Sequence, residues 1–499
     1  MINAISIFGL LCVIELLAWQ NVFWQLRKYL ASALLVLVPL STAYLIFRYP
    51  SVWTVFLGIA SIYRMLNFLK VIVARIQIEY LHVSVERTSF SLIFSQFLLI
   101  IIYGFIHKFS INQSNVWLIL ALVEMVSAII LLIITRENIR ISKIKRSDSA
   151  IANKNLPSLT VAIPARNETI DLEECLESLI ASNYPKLEII VLDDCSQSKQ
   201  TPQIIKRYAQ EGVRFVAGNE PPKNWLAKNF AYDKLADEAN GDLLLFCGVD
   251  TRFSPDSLQK IVTVIMNSNK SMVSILPRNE ISGSNSILSK ITQSNRYAWE
   301  LCLPRWLMLR PPVLSTCWLI NKAELIKNGG FESVRRKVIP ERYFAISSFL
   351  EKKYDFITSN DDMGLLSKKS FSDQLATSVR VRYPQLHKRP ENVFLISILE
   401  FIQLISPVFL IIYGIASLNT LITVVAAASW LLNMLAYSTV YSLAYRKRSI
   451  LGLVLQIFAI TYDIAVLNYS MWRYEFKQVI WKDRNICLPV MHYETSKNK

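Results

Sequence analysis

The chain has 499 residues, 53% of them hydrophobic, and carries a formal net charge of +16. A mean hydropathy of +0.33 is too high for a pair of water-soluble domains, so a membrane solvent is implied. The basic residues gather beside apolar runs and form no basic domain interleaved with stacking aromatics, which argues against a nucleic-acid partner and for a positive-inside pattern.

A helix of roughly 20 apolar residues spans a bilayer core. That length picks out Ile2–Trp19, Ala31–Phe47, Phe90–Ile106 and Val116–Thr135 in the first 150 residues. The first run lacks a basic start and a small-residue cleavage site, so it is expected to stay as an anchor. Between Val52 and Ile76 the cations Arg64, Lys70 and Arg75 fit either a short span ending near Tyr63 or a basic amphipathic helix on the surface, and a short span is preferred. After the middle of the chain come Val393–Leu418, Leu421–Tyr445 and Ile450–Trp472, the last carrying Asp463, which is expected to face other helices.

Three regions follow: 1–150 with four to five spans, 151–392 as an α/β domain, and 393–499 with about three spans and a basic tail. With five helices ahead of the domain, Arg27–Lys28, Arg64–Arg87, Arg136–Arg146 and Arg446–Arg448 share one side, read as the cytoplasm. The protein is then a multi-pass integral membrane protein whose domain faces the cytoplasm. The same count puts the basic stretch Arg473–Arg484 on the far side.

From about Pro157 to Pro390, short β-rich apolar runs alternate with helical patterns, the signature of a largely parallel sheet. Strands are expected at Leu159–Ile163, Leu187–Leu192, Val213–Val216 and Asp242–Phe246. Asp171 with Glu174 resembles a capping box, followed by Leu172, Leu176, Leu179 and Ile180 on one face, and Ser254-Pro255-Asp256 reads as a helix start. The seven cysteines include no CxxC pair and no metal-ligand spacing, and read as reduced structural thiols.

Ligands of open parallel sheets sit beyond the carboxyl ends of the strands. Here those ends are polar: Pro164–Glu168, Asp193-Asp194 and Gly248–Arg252. Each acid alone reads best as a turn-former or cap. Carboxylates converging on one edge, however, need a cation or hydrogen-bond donors between them.

The segments IPARNE (163–168), VLDDCS (191–196), PPKNWLAKNFA (221–231) and LLFCGVDTRFSPDSL (244–258) resemble the donor-binding half of family-2 glycosyltransferases, in particular the membrane-anchored branch acting on hopanoid, carotenoid or ceramide-type lipids. The resemblance implies a GT-A fold, a nucleotide sugar (a UDP-sugar) as donor and a membrane lipid or lipid-linked acceptor. It places Pro164, Arg166 and Glu168 against the nucleoside and Asp194 on the uracil imide. Lys228 would lie near nucleotide or phosphate, and Asp250 would ligate Mg²⁺ or Mn²⁺ on the diphosphate. The first acid of the family's DxD-like motif is Gly248 in this chain.

On the acceptor side IPERYFA (339–345) resembles the EDYF-like segment, with Arg342 where the general base would stand. Glu341 is the nearest carboxylate, its pKa expected to be lowered by Arg342, and Asp361-Asp362 is the alternative pair. VRVRYPQLHKRP (379–390) occupies the place of the QxxRW segment without its tryptophan, so Arg380, Arg382 and Arg389 either neutralise a leaving diphosphate or form a basic strip beside the membrane. RYAWELCLPRWLMLRPPV (296–313) resembles an interfacial helix. The implied activity is inverting sugar transfer to a lipid. Its rivals are a processive polysaccharide synthase, against which the missing tryptophan counts, and a catalytically degenerate scaffold, which Gly248 and Arg342 favour.

Overall fold

The computed structural model describes residues 26–50, 52–73, 113–143, 151, 153–280, 287–302, 310–445 and 450–487, together with 7, 10–15 and 18. The spans expected at 2–19 and 90–106 fall mostly or wholly outside these residues. Two compact units emerge: residues 1–124 with 386–426, and residues 125–385 with 427–499.

In the first unit, Arg27–Arg48 and Val52–Val73 are helices packed on each other. Arg64, which interrupts the apolar pattern, is fully buried and ion-paired with buried Glu15. A buried charge is tolerated when it is paired and hydrogen-bonded, so the cation belongs to the helix interior and the helix continues past Tyr63. Tyr63 meets Phe394 edge-on at 5.1 Å, and Trp117 meets Phe409 at 5.6 Å. Among the described residues four helices are long and apolar enough to cross a membrane: Tyr29–Arg48, Asn115–Ser142, Pro390–Ala416 and Thr420–Tyr445.

The second unit is built on a seven-stranded sheet. Its strands are β1 (Leu159–Ala165), β2 (Leu187–Asp193), β3 (Val213–Ala217), β4 (Leu243–Cys247), β6 (Met272–Leu276), β8 (Cys317–Asn321) and β9 (Tyr354–Thr358), in the order β3-β2-β1-β4-β8-β6-β9. The four expected strands are its parallel half, and β8 runs antiparallel to both β4 and β6. A small sheet joins β5 (Thr251–Arg252), β7 (Arg278–Asn279) and β10 (Leu366–Ser367).

Alternation along β1 and β2 explains the two cores. Val161, Ile163 and Val191 pack with Leu172, Leu176 and Leu179, whereas Ala162, Ile190 and Leu192 face Tyr232 and Leu235. On the second face Phe246 stacks on Trp318 at 4.5 Å and meets Phe331 edge-on at 5.2 Å. Both expected helix starts shift. One helix begins at Ile170 with Thr169 before it, the other at Ser257 after Asp256, and neither has a side-chain cap. Asp171 and Glu174 instead pair with Arg252.

The segment expected as a last span, 450–472, is two helices, Ile450–Val454 and Gln456–Glu475. The longer packs along the helices Phe371–Gln385 and Ile287–Leu301 of the same unit and is not among the four of spanning length and apolarity. Its Asp463 is ion-paired with Arg382 and accepts from Trp299 Nε1 at 2.5 Å, all three buried. The tail then forms a hairpin of β11 (Ile480–Trp481) and β12 (Arg484–Asn485).

Candidate functional site

Strands β1 and β2 pair in parallel with Ala165 opposite Asp193, so the chain leaves both at one edge. This register brings Arg166 to the loop after β2, where its Nη1 donates to the carbonyls of Asp194 and Cys195 at 2.6 Å each. Pro164, half-buried, still lies within β1, opposite Leu192.

The C-terminal hairpin covers this edge. Arg484 donates to both oxygens of Asp194 at 2.8 Å and to Glu220 at 3.1 Å. Lys482 pairs with Glu168 at 2.8 Å, and its carbonyl accepts from Arg166 Nε at 3.0 Å. Burial pushes the Asp194 and Glu168 carboxyls above their ordinary values, with Arg484 and Lys482 pulling each partly back. Arg166, Glu168 and Asp194, three of the four residues expected around a nucleoside, are thus brought together, and they are bound by a tail that was expected on the far side. The reason is the helix Gln456–Glu475: packed within this unit, it delivers the tail to the sheet edge.

Beside this edge lies a cavity of about 120 Å³, bordered by Trp225, Lys228, Arg380, Trp481, Arg484 and Ile486. Lys228 reaches it from the first turn of the helix Ala227–Glu238. Asn229, one residue on, donates to the carbonyls of Val334 and Lys337 and so ties that helix to the segment leading into Glu341. Glu341 opens the helix Glu341–Leu350, is 2% exposed, and has one carboxylate oxygen without a hydrogen bond. Burial raises its pKa, opposed first by the charge of Lys228 and then by Arg380 and Arg310. Lys228 is in turn pushed down to about 8 by burial, with Glu341 opposing. The largest opposing charge on Glu341 is therefore that of Lys228, and the net shift is upward, opposite to the sequence expectation.

Asp250 follows β4. Its Oδ2 accepts from Ser367 Oγ at 3.1 Å and lies 3.7 Å from Lys369 Nζ. Its Oδ1 folds over Gly248, where an added Cβ would sit 2.4 Å away. Burial works against ionisation, but Lys369 and Arg296 outweigh it and lower the pKa. No group of three His, Cys, Asp or Glu side chains able to hold a metal ion occurs among the described residues. Asp250 is thus a single carboxylate that already faces an ammonium and a hydroxyl.

Arg382 is engaged with Asp463 and lies 4.3 Å over Trp299, whereas Arg380, on the same helix, borders the cavity and lies 4.9 Å over Trp481. Arg389 precedes the helix Pro390–Leu404 in the other unit. The alternative acids are exposed and paired elsewhere, Asp361 with Arg278 and Asp362 with Lys260. The expected interfacial segment 296–313 is in part a core helix: Tyr297 and Trp299 are buried, Arg310 forms a buried ion pair with Glu300, and residues 303–309 lie outside the described set. Sequence reasoning missed Lys369, Arg296 and Arg484. Their only signal was basic character among many basic residues.

Residues 160–327 match the family described as Glycosyl transferase family 2. The chain is 25% identical over 186 residues to the probable glycosyltransferase YdaM of Bacillus subtilis, covering 36% of this chain and 44% of that protein. It is 25% identical over 122 residues to the glycosyltransferase AglE of Haloferax volcanii, covering 24% and 38%. The match thus spans less than half the length of either relative. Among solved structures, a Pyrobaculum calidifontis mannosyltransferase in complex with GDP-Man and Mn²⁺ aligns at 17% identity and TM-score 0.43, over 71% of this chain and 99% of that one. The S. aureus TarS fragment in complex with UDP-GlcNAc aligns at 17% and 0.32, over 64% and 92%. Residues 160–327 are thus similar to glycosyl transferase family 2, a match that covers about a third of the chain.

Proposed function

We propose that the protein is an inverting glycosyltransferase that moves a sugar from a nucleotide sugar, a UDP-sugar, to a lipid acceptor at the membrane surface. The observation that supports this reading is Glu341, buried with an unpartnered oxygen and within electrostatic range of Lys228, which borders a cavity together with Arg484, the partner of Asp194. Asp194 accepts the imide N–H of the base, and Arg166 and Glu168 shape the nucleoside subsite. Glu341 removes the acceptor hydroxyl proton, the acceptor oxygen bonds to the anomeric carbon, and the carbon–oxygen bond to the diphosphate breaks with its electron pair on the leaving group. One displacement inverts the centre. Burial that raises the Glu341 pKa makes it a stronger base than a solvated glutamate.

The lipid acceptor rests on the helices of spanning length on both sides of the domain in sequence. Among the described residues two such helices follow Arg389, an even number that returns the chain to the side of the domain, in keeping with the tail's bonds to Asp194 and Glu168. The domain and its tail then share the cytoplasmic side. A test is calorimetry of the full chain with UDP and GDP. UDP binding weakened by Asp194→Ala supports the donor reading, and GDP binding as tightly as UDP overturns it.

A further inference from the structure

Four cations surround Asp250 and Glu341: Lys228, Arg296, Lys369 and Arg380. Each is half-buried, and each lies within electrostatic range of at least one of the two carboxylates. Their hydrogen-bonding capacity is nearly unspent. Lys369 comes no nearer than 3.7 Å to Asp250, and Arg296 makes one long contact with Gln293 at 3.4 Å. Lys228 and Arg380 rest on the rings of Tyr232 and Trp481. Glu300 also faces Arg296 but is held by Arg310, and Asp373 faces Lys369 from the exposed surface. With Glu300 so neutralised, the four cations outnumber the buried carboxylates Asp250 and Glu341 in a place where burial already lowers the pKa of all four. Such an excess is costly unless an anion of about two charges enters.

The carboxylate side is correspondingly thin. Gly248 supplies none, and Asp250 Oδ1 lies where a side chain at 248 would begin, so an acid there would collide with Asp250 unless one of them moved. Asp250 Oδ2 accepts from Ser367 and faces Lys369 at 3.7 Å, so the carboxylate is already directed at a hydroxyl and a cation.

From this arrangement we infer that the site holds a diphosphate with Arg296, Lys369, Arg380 and Lys228 and needs no divalent cation. Asp250 acts as a positioning residue for Lys369 and Arg296. The inference rests on the nucleotide-sugar reading and adds to it how the leaving group's charge is met. As the bond to the sugar breaks, the electron pair left on the diphosphate oxygen is stabilised by guanidinium and ammonium donors, which reach phosphate oxygens well.

The test is calorimetry on the purified full-length protein with UDP and with inorganic pyrophosphate, in excess EDTA and in added Mn²⁺. Binding of both probes is expected to persist in EDTA, within about twofold of its value in Mn²⁺. It should weaken about tenfold or more in Lys369→Met and in Arg296→Gln, the scale of one charge-assisted hydrogen bond. Lys369→Arg should retain it, which separates lost charge from lost folding. Asp250→Asn should retain or tighten pyrophosphate binding, since it removes a negative charge. Binding that vanishes in EDTA, returns with Mn²⁺ and is lost in Asp250→Asn overturns this inference while leaving the nucleotide reading intact. Absence of binding to either probe under all conditions overturns both.

Discussion

Arg484 holds both carboxylate oxygens of Asp194 at 2.8 Å, across 290 residues of sequence. The acid proposed to read the nucleotide base is thereby occupied by the chain's own tail. The adjoining cavity of about 120 Å³ is small beside the roughly 300–1,000 Å³ usual for ligand pockets. A base that reaches Asp194 must displace Arg484, and the cost of breaking that pair is subtracted from the binding energy. Arg484→Ala is therefore expected to tighten UDP binding several-fold, and Asp194→Ala to weaken it. Weaker binding in Arg484→Ala would mean that the arginine is itself a nucleotide ligand.

Glu341 and Lys228 set the expected pH profile. Burial raises the Glu341 pKa above its ordinary 4.5 and lowers that of Lys228 to about 8. The base works only when ionised and the lysine neutralises charge only when protonated. Turnover should rise with pH through the raised value of the glutamate and fall above about 8, the two limbs belonging to the coupled pair. Lys228→Met should remove the alkaline limb. An unchanged limb would assign it to another group.

Glu341→Gln should cut turnover about a hundredfold or more while leaving UDP affinity nearly unchanged, the pattern for losing general base catalysis. Its stability signature is separate. A carboxyl with a raised folded-state pKa contributes stability that is complete below the unfolded value near 4.5 and is lost as pH rises through the folded one. The glutamine variant should therefore melt at least as high as the parent at neutral pH. Turnover that survives in Glu341→Gln but collapses in Asp361→Asn or Asp362→Asn would move the base to that pair.

The buried pair Arg382–Asp463 fastens the helix Gln456–Glu475 to Phe371–Gln385. Removing one partner leaves an uncompensated buried charge, so Asp463→Ala should destabilise the protein by about 3–5 kcal/mol. Thermal unfolding in detergent would check this, and a loss below about 1 kcal/mol, the scale of an exposed pair, would contradict the assignment.

That pair also shows where the sequence was legible and where it was not. The four parallel strands were readable because each is a short apolar run between turn-formers, and their period places polar residues at the strand ends. The segment 450–472, expected as one span, is two helices whose Ile, Leu and Tyr content hides polar positions. Gln456, Asp463 and Ser470 are buried against the unit's other helices, with Ser470 donating to the carbonyl of Val379 and Asp463 holding Arg382. Asp463 was the available signal, and the arginines of 379–390 were its candidate partners. Tail residues such as Arg484 bond to residues nearly three hundred positions away, and no local pattern announces such a contact. For Glu341, proximity in sequence pointed to Arg342, whereas the fold places Lys228 beside it, because Asn229 ties the Lys228 helix to the segment ahead of the glutamate.

The most direct measurement incubates membranes containing the full chain with a panel of radiolabelled nucleotide sugars, then separates lipid-extractable, polymeric and protein-bound product. Label is expected in the lipid fraction from a UDP-sugar, and about a hundredfold or more lower in Glu341→Gln. Label confined to polymer or protein, or no transfer from any donor, would contradict a lipid glycosyltransferase.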